Sequence, residues 1–231
     1  MTNRDDNLTE YLNFIAKYPD LYQNPEGGVE VLLNAEEILA TERKQAERLR
    51  AEGLPQVWAR LGIQFEDQYS VLVRDAVRFP DGSSGTYFRI LPKPLERYGA
   101  VMLPLWQGRI VLLRHFRHAT RTWHLEAPRG SAEAEETTEM DVRRELAEEM
   151  GGIVERLHSL GTMHVSTSHF PVRMSLFLAE LSAMGEPALG EGITGLVLAT
   201  PEEFIAMIDR DEITDSHTLA AFTKARIRGL L

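Results

Sequence analysis

Residues 130–152 read GSAEAEETTEMDVRRELAEEMGG, and the part from Thr138 to Met150 predicts one helix. Alanine, leucine, methionine, arginine and glutamate dominate this part, and all of them favour helices. Thr138 is expected to cap the start, with Asp141 three residues later in a near capping box. Gly151 can end the helix, because glycine adopts the left-handed conformation of a C-cap at little cost. Apolar residues at four-residue spacing predict the buried face, and they are Val142, Leu146 and Met150.

The same helix carries an acidic face. Glu145, Glu148 and Glu149 stand three and four residues apart, so they share one side of the helix. Like charges at this spacing destabilise a helix by a few tenths of a kcal/mol per pair. Such a face is either a solvated surface or a cation site, and a hard ion such as magnesium binds through oxygen ligands of this type.

The fixed residues of this stretch resemble the signature of the Nudix hydrolase family. The matching positions are Gly130, Glu136, Arg144, Glu145, Leu146, Glu148, Glu149 and Gly151. Seven specified residues at a typical usage of about 7% each match by chance with a probability of about 10⁻⁸ per starting residue. Gly152 departs from the family, which usually has an aliphatic residue there. Because that position packs and does not react, the departure concerns local packing and leaves the chemistry intact.

The resemblance implies an α/β fold, a Nudix-type α/β/α sandwich with a mixed sheet. It also implies hydrolysis of a nucleoside diphosphate linked to another moiety, with magnesium (Mg2+) as cofactor and manganese (Mn2+) as a substitute. The metal ligands expected first are Glu145 and Glu149, with Glu148 sharing or bridging and serving as a catalytic residue. Arg144 is expected to pair with a signature carboxylate and fix the turn, and Glu136 to orient that turn or a water on the ion.

The lead-in TWHLEAPRG, residues 122–130, resembles the ADP-ribose pyrophosphatase branch of the family. In that branch a strand ending in arginines precedes Glu-x-Pro-Ala-Gly. Arg114 and Arg117 stand at such a strand end, and arginine forks suit phosphate oxygens. We expect these two arginines to bind substrate, together with Glu126 and Arg129. The alternative for the two strand-end arginines is ordinary surface charge. Arg129 replaces the family's alanine, and the resemblance makes its backbone carbonyl a metal ligand whatever its side chain.

The loop after the signature is expected to supply the general base. In the resembling pyrophosphatases the base lies on a mobile loop, and the glycine-flanked residues 184–192 occupy the matching place. Glu191 is the first choice, because it precedes the strand that begins at Ile193 as the family's loop glutamate does. Glu186 is the second choice, and a solvated loop acid is the alternative for either.

The lead-in and the arginine-bearing strand favour ADP-ribose as the substrate. Its hydrolysis would give AMP and ribose 5-phosphate. Two features oppose this prediction. Arg129 breaks the lead-in, and Pro171 comes three residues later than the proline typical of ADP-ribose pyrophosphatases. The alternatives are nucleotide sugars, dinucleoside polyphosphates, and a non-catalytic ligand sensor with the same fold.

The predicted secondary structure changes at residue 62. Residues 1–62 predict a helical N-terminal extension, and residues 63–231 predict the Nudix domain, where strands prevail. Within residues 65–91 two strands flank a turn at Pro80-Asp81-Gly82. An isolated hairpin is marginal in water, and the resemblance implies that such strands pair across a two-fold axis. A homodimer is therefore expected.

The charge and the residue composition exclude several classes of binding partner and site. The chain has 231 residues, a net charge of −10 and no cysteine. The acidic balance disfavours nucleic acid and anionic membranes, and the lack of cysteine excludes disulfides and zinc–thiolate sites. The first residues are polar where a signal peptide would be basic and then apolar, and no apolar run has the length of a membrane span. A cytoplasmic protein acting on a small molecule is expected.

Overall fold

The computed structural model describes residues 4–95, 99–131 and 137–231, which fall into two compact units. The first unit extends to residue 95 and includes residues 166–171, and the second contains the rest. The domain boundary predicted at residue 62 is not tested by this division and stays a prediction. None of the helices in these described ranges is long and apolar enough to cross a membrane.

The first unit is a four-stranded antiparallel sheet with two helices. Its elements are α1 (Arg4–Lys17), β1 (Glu30–Val31), α2 (Ala35–Ala51), β2 (Gly62–Glu66), β3 (Ser70–Arg78) and β4 (Ser84–Pro92). Strand β3 pairs with β4 along its full length on one side, and with β2 and β1 on the other. Tyr11 and Ile38 of the helices share one core with Val71 and Val73 of β3.

The predicted hairpin within residues 65–91 is present as β3 and β4, and it does not stand alone. Val71, Val73 and Leu91 are at most 2% exposed and pack in the core that the helices of the same unit complete. The argument that this hairpin needs a second subunit for its stability is therefore wrong. The homodimer itself stays a prediction.

The second unit is built on a seven-stranded mixed sheet. Its elements are β5 (Ala100–Trp106), β6 (Arg109–Arg117), β7 (Thr122–Glu126), β8 (Arg129–Gly130), α3 (Thr138–Met150), β9 (Ile153–His164), β10 (Arg173–Ala183), β11 (Ile193–Ala199), α4 (Pro201–Asp209) and α5 (Ser216–Ile227). The order is β11-β6-β5-β10-β9, with β7 beside β6 and β8 beside β5. Strands β5 and β10 are parallel and the other pairs are antiparallel.

Side chains alternate across the sheet and bury a core on each face. On β5, Ala100 and Met102 pack with the apolar stripe of α3. Their neighbours Val101 and Leu103 pack on the opposite face, with the aromatic side chains of α4 and α5. The predicted α/β/α sandwich with a mixed sheet, preceded by a helical extension, is confirmed.

Helix α3 has the predicted bounds, but its N-cap differs from the prediction. The cap is Thr137, whose hydroxyl accepts from the Met140 N–H at 3.3 Å, so the assignment to Thr138 is wrong by one residue. The two threonines offer the same hydroxyl, and the extended backbone of Thr137, with ψ of 155°, decides between them. The helix ends at Gly151, with φ of 61°, as predicted.

Candidate active site

The acidic face of α3 lies against β8. A Cβ built on Gly130 would lie 2.0 Å from Cδ of Glu145, so only glycine leaves room for that carboxyl group. The side chain of Glu145 is 15% exposed and that of Glu148 is 55% exposed. Glu149 is 2% exposed. The acidic face therefore combines a buried carboxylate, Glu149, with a solvated one, Glu148.

Glu149 is the most perturbed member of this cluster. Burial, followed by the charges of Glu145 and Glu191, raises its pKa to about 8. Burial also raises the pKa of Glu145, with Glu148 and Glu191 adding to the effect and Arg144 opposing it. Oε2 of Glu149 has no hydrogen-bond partner among the described residues. A buried carboxylate without a partner loses its hydration without compensation, so the arrangement favours a cation.

Arg144 offsets part of the repulsion on this face. Its Nη1 lies 3.0 Å from Oε2 of Glu148 and 3.1 Å from Oε1 of Glu145. Its Nη2 lies 3.6 Å from Asp141. The guanidinium thus orients the carboxylates of Glu145 and Glu148.

The donor set fits a hard divalent cation. The candidate side-chain ligands all offer carboxylate oxygens, the candidate carbonyl of Arg129 adds a backbone oxygen, and one buried oxygen of Glu149 is unpaired among the described residues. No three acidic or imidazole groups converge to hold a metal in the described part of the chain, and the predicted Glu136 lies outside that part. Magnesium commonly takes one or two protein carboxylates and completes its shell with water and substrate phosphates. A closed protein cage is therefore not required.

Arg117, at the end of β6, pairs with a buried acid. Its Nε donates to Oε1 of Glu126 at 2.6 Å, and its Nη2 contacts the same oxygen. Glu126 is 1% exposed. His115 Nδ1 lies 3.1 Å from that oxygen without the alignment of a hydrogen bond, and burial and Arg117 lower the pKa of His115. Because the imidazole is then neutral, Arg117 is the main counter-charge of Glu126.

Arg114 and Trp123 form a stacked pair on neighbouring strands. The guanidinium carbon lies 4.1 Å from the ring centroid, and Nη1 donates to Oγ1 of Thr194 at 3.1 Å. Trp123 is 42% exposed and meets Phe116 edge to face at 5.4 Å between centroids. This exposure shows that the Trp123 ring is not part of the buried core. The pair offers a ligand a cation and a planar face together.

Arg129 lies among residues that the sequence did not mark as functional. Its Nη1 is 3.0 Å from Oδ1 of Asp215 and 2.8 Å from Nδ1 of His217. Burial alone would raise the pKa of Asp215, but the hydrogen bond with His217, the charge of Arg129 and the hydrogen bonds from Thr218 hold it below its ordinary value. The available sequence signal was the acid-x-x-threonine spacing of an N-cap, where Asp215 precedes α5.

The loop that carries Glu191 is fixed to the C-terminal end of α3. The N–H of Gly185 donates to the carbonyl of Met150, and that of Ala188 donates to the carbonyl of Glu149, both at 2.9 Å. The charge of Glu191 adds to the raised pKa values of Glu149 and Glu145, after burial and after the neighbouring glutamates of the helix. Glu186, in the same loop, is exposed and is not among the causes of these raised pKa values. Glu191 stays the first choice for the general base, and Glu186 stays the second.

Comparisons with known proteins agree with this architecture. The family model described as NUDIX domain matches residues 96–222, more than half of the chain. A crystal structure of an ADP compounds hydrolase is similar, with a TM-score of 0.65 and 18% sequence identity over 74% of this chain and 92% of that chain. At that identity the similarity concerns the fold alone. A search of curated proteins gave no match.

Proposed function

Since the chain belongs to the Nudix family of hydrolases, we propose that it cleaves the pyrophosphate of a nucleoside diphosphate linked to another moiety, with magnesium as cofactor. The observation that carries this proposal is the buried Glu149, which has an unpaired oxygen and lies beside Glu145 on the signature helix. The family generally acts with divalent ions. A cation would relieve the repulsion among these carboxylates and give the unpaired oxygen a partner.

The residues of the chain divide the work as follows. Glu145, Glu149 and the backbone carbonyl of Arg129 would hold the ion, together with Glu148. When bound, the ion neutralises phosphate charge and lowers the pKa of a coordinated water towards 7. Glu191 takes the proton from the attacking water, which its proximity to the cluster supports. Glu136 lies outside the described residues, so its role stays a prediction.

ADP-ribose is the substrate we propose first. The stacked Arg114–Trp123 pair suits an adenine base or an adjoining phosphate, and it lies on the strands that lead to Glu126. Arg117 binds substrate in this proposal through the part of its guanidinium not used by Glu126. Nucleotide sugars and dinucleoside polyphosphates are the alternatives, since both also contain a phosphoanhydride attached to a nucleoside.

A substrate panel with product identification tests the proposal. Catalytic efficiency is measured on ADP-ribose, GDP-mannose, UDP-glucose and diadenosine polyphosphates, each with magnesium and with manganese. ADP-ribose should be cleaved best, to AMP and ribose 5-phosphate. A tenfold preference for another member would overturn the choice of substrate and leave the pyrophosphatase chemistry standing. No cleavage of any member would favour the ligand-sensor alternative.

We also propose a homodimer, now for a different reason. Strand β2 pairs only with β3 in the described sheet, so its other edge is open. Large apolar side chains in or next to β2 are exposed: Val57 by 66%, Trp58 by 54%, Phe65 by 50% and Tyr69 by 71%. An open edge with exposed apolar residues is suited to pairing with a second copy.

A further inference from the structure

The N-terminal end of α5 holds residues 126–130 through two side chains that the proposed chemistry does not use. We propose that Asp215 and Thr218 are positioning residues, which fix this segment so that the metal ligand Glu145 is correctly placed. The inference rests on the proposed function in one respect only, namely that Glu145 helps to bind a divalent ion.

Thr218 forms the first contact. It is fully buried, and its Oγ1 accepts from the N–H of Ala127 at 2.8 Å while donating to Oδ2 of Asp215 at 2.7 Å. The N–H of Thr218 donates to the same Oδ2 at 2.9 Å, which makes Asp215 the N-cap of α5. One hydroxyl therefore joins the helix cap to the backbone of the segment, and a side chain without that hydroxyl would leave the buried N–H of Ala127 unsatisfied.

Arg129 forms the second contact. Oδ2 of Asp215 serves the helix cap, and Oδ1 lies 3.0 Å from Nη1 of Arg129. Nη2 of Arg129 lies 3.4 Å from Oε2 of Glu126, whose other oxygen is held by Arg117. Opposite charges thus alternate from the end of β6 to the start of α5. Both ends of the segment, at Glu126 and at Arg129, are connected to this chain of charges.

The segment reaches the metal site through Gly130. Gly130 and Arg129 pair with β5, and the Pro128 carbonyl accepts from the N–H of Met102 at 2.9 Å. A Cβ on Gly130 would lie 2.0 Å from Cδ of Glu145, so the backbone there forms the wall of the space that this carboxyl group occupies. If the α5 contacts are loosened, the wall shifts and Glu145 loses its orientation. Removing a residue that orients a metal ligand in this way typically lowers metal affinity by about 10–100-fold.

The test measures manganese binding to the full chain without substrate, by calorimetry or electron paramagnetic resonance, beside thermal melting. Thr218→Val should weaken manganese binding about tenfold, and Thr218→Ser should restore it. Asp215→Asn keeps an oxygen for the helix cap and removes the charge facing Arg129, so it should also weaken binding. The matched control is Thr223→Val, because the Thr223 hydroxyl donates to the Leu219 carbonyl at 2.7 Å on the same helix and is exposed. This control should bind as the unaltered chain does.

Several results would overturn the inference. One is unchanged manganese affinity in Thr218→Val and Asp215→Asn, and another is no manganese binding by the unaltered chain. A third is equal weakening by Phe222→Leu, which perturbs the buried stack of Phe222 on Phe204 and removes none of the hydrogen bonds that Asp215 and Thr218 make. If Thr218→Val does not fold, the comparison of Asp215→Asn with Thr223→Val decides. Failure of the proposed function would look different: no substrate is cleaved, while the order of manganese affinities among the variants persists.

Discussion

The Gly130→Ala variant is expected to lose catalytic efficiency while keeping its fold. The added Cβ would lie 2.0 Å from Cδ and 2.2 Å from Oε1 of Glu145, whereas ordinary contact begins near 3.4 Å. The carboxyl group must therefore move by about 1.4 Å, the difference between 3.4 and 2.0 Å. A misplacement of this size can lower the rate about 100-fold, which corresponds to about 2.7 kcal/mol of activation free energy.

The assay is kcat/KM on the preferred substrate of the panel, with the free energy of unfolding measured in parallel. Overpacking a buried site costs about 1–3 kcal/mol, and the lower end is expected because a carboxyl group at the end of a flexible side chain can turn away. Gly195→Ala is the matched control, since a Cβ there would meet nothing within 4 Å. Unaltered kcat/KM in Gly130→Ala, or an equal loss in Gly195→Ala, would refute the argument that Gly130 makes room for Glu145.

Four further results are expected. Chelation of divalent ions should abolish hydrolysis and added magnesium or manganese should restore it, so full activity in chelator would contradict the metal site. Glu191→Gln should lower turnover at saturating substrate about 100-fold or more and Glu186→Gln should not, and the opposite pattern would assign the base to Glu186. Arg117→Ala should raise KM and also lower the free energy of unfolding by about 3 kcal/mol, because the buried Glu126 loses its main counter-charge; denaturant unfolding that matches the unaltered chain would contradict this. Light scattering should give twice the chain mass of 26.1 kDa, and Trp58→Asp should shift it towards one; an unaltered chain that is monomeric at micromolar concentration would count against the dimer.

The sequence alone determined what is encoded locally. The bounds of α3, its glycine C-cap and its apolar stripe follow from residues within one or two turns of each other, as do the spacing and common face of Glu145, Glu148 and Glu149. The turn at residues 80–82 and the strands around it are also readable, because turn chemistry is local. Even the error at the N-cap was local, since two adjacent threonines could both serve.

The tertiary structure alone decided which residues meet across the chain. Arg129 pairs with Asp215, 86 positions away, and Ala127 binds Thr218, 91 positions away, because α5 returns to the end of β8 on the second face of the sheet. The same arrangement gives Arg117 a buried acid as its partner and leaves an oxygen of Glu149 unpaired. The order of the strands sets these contacts and the resulting pKa values, and that order leaves no periodic signal in the sequence.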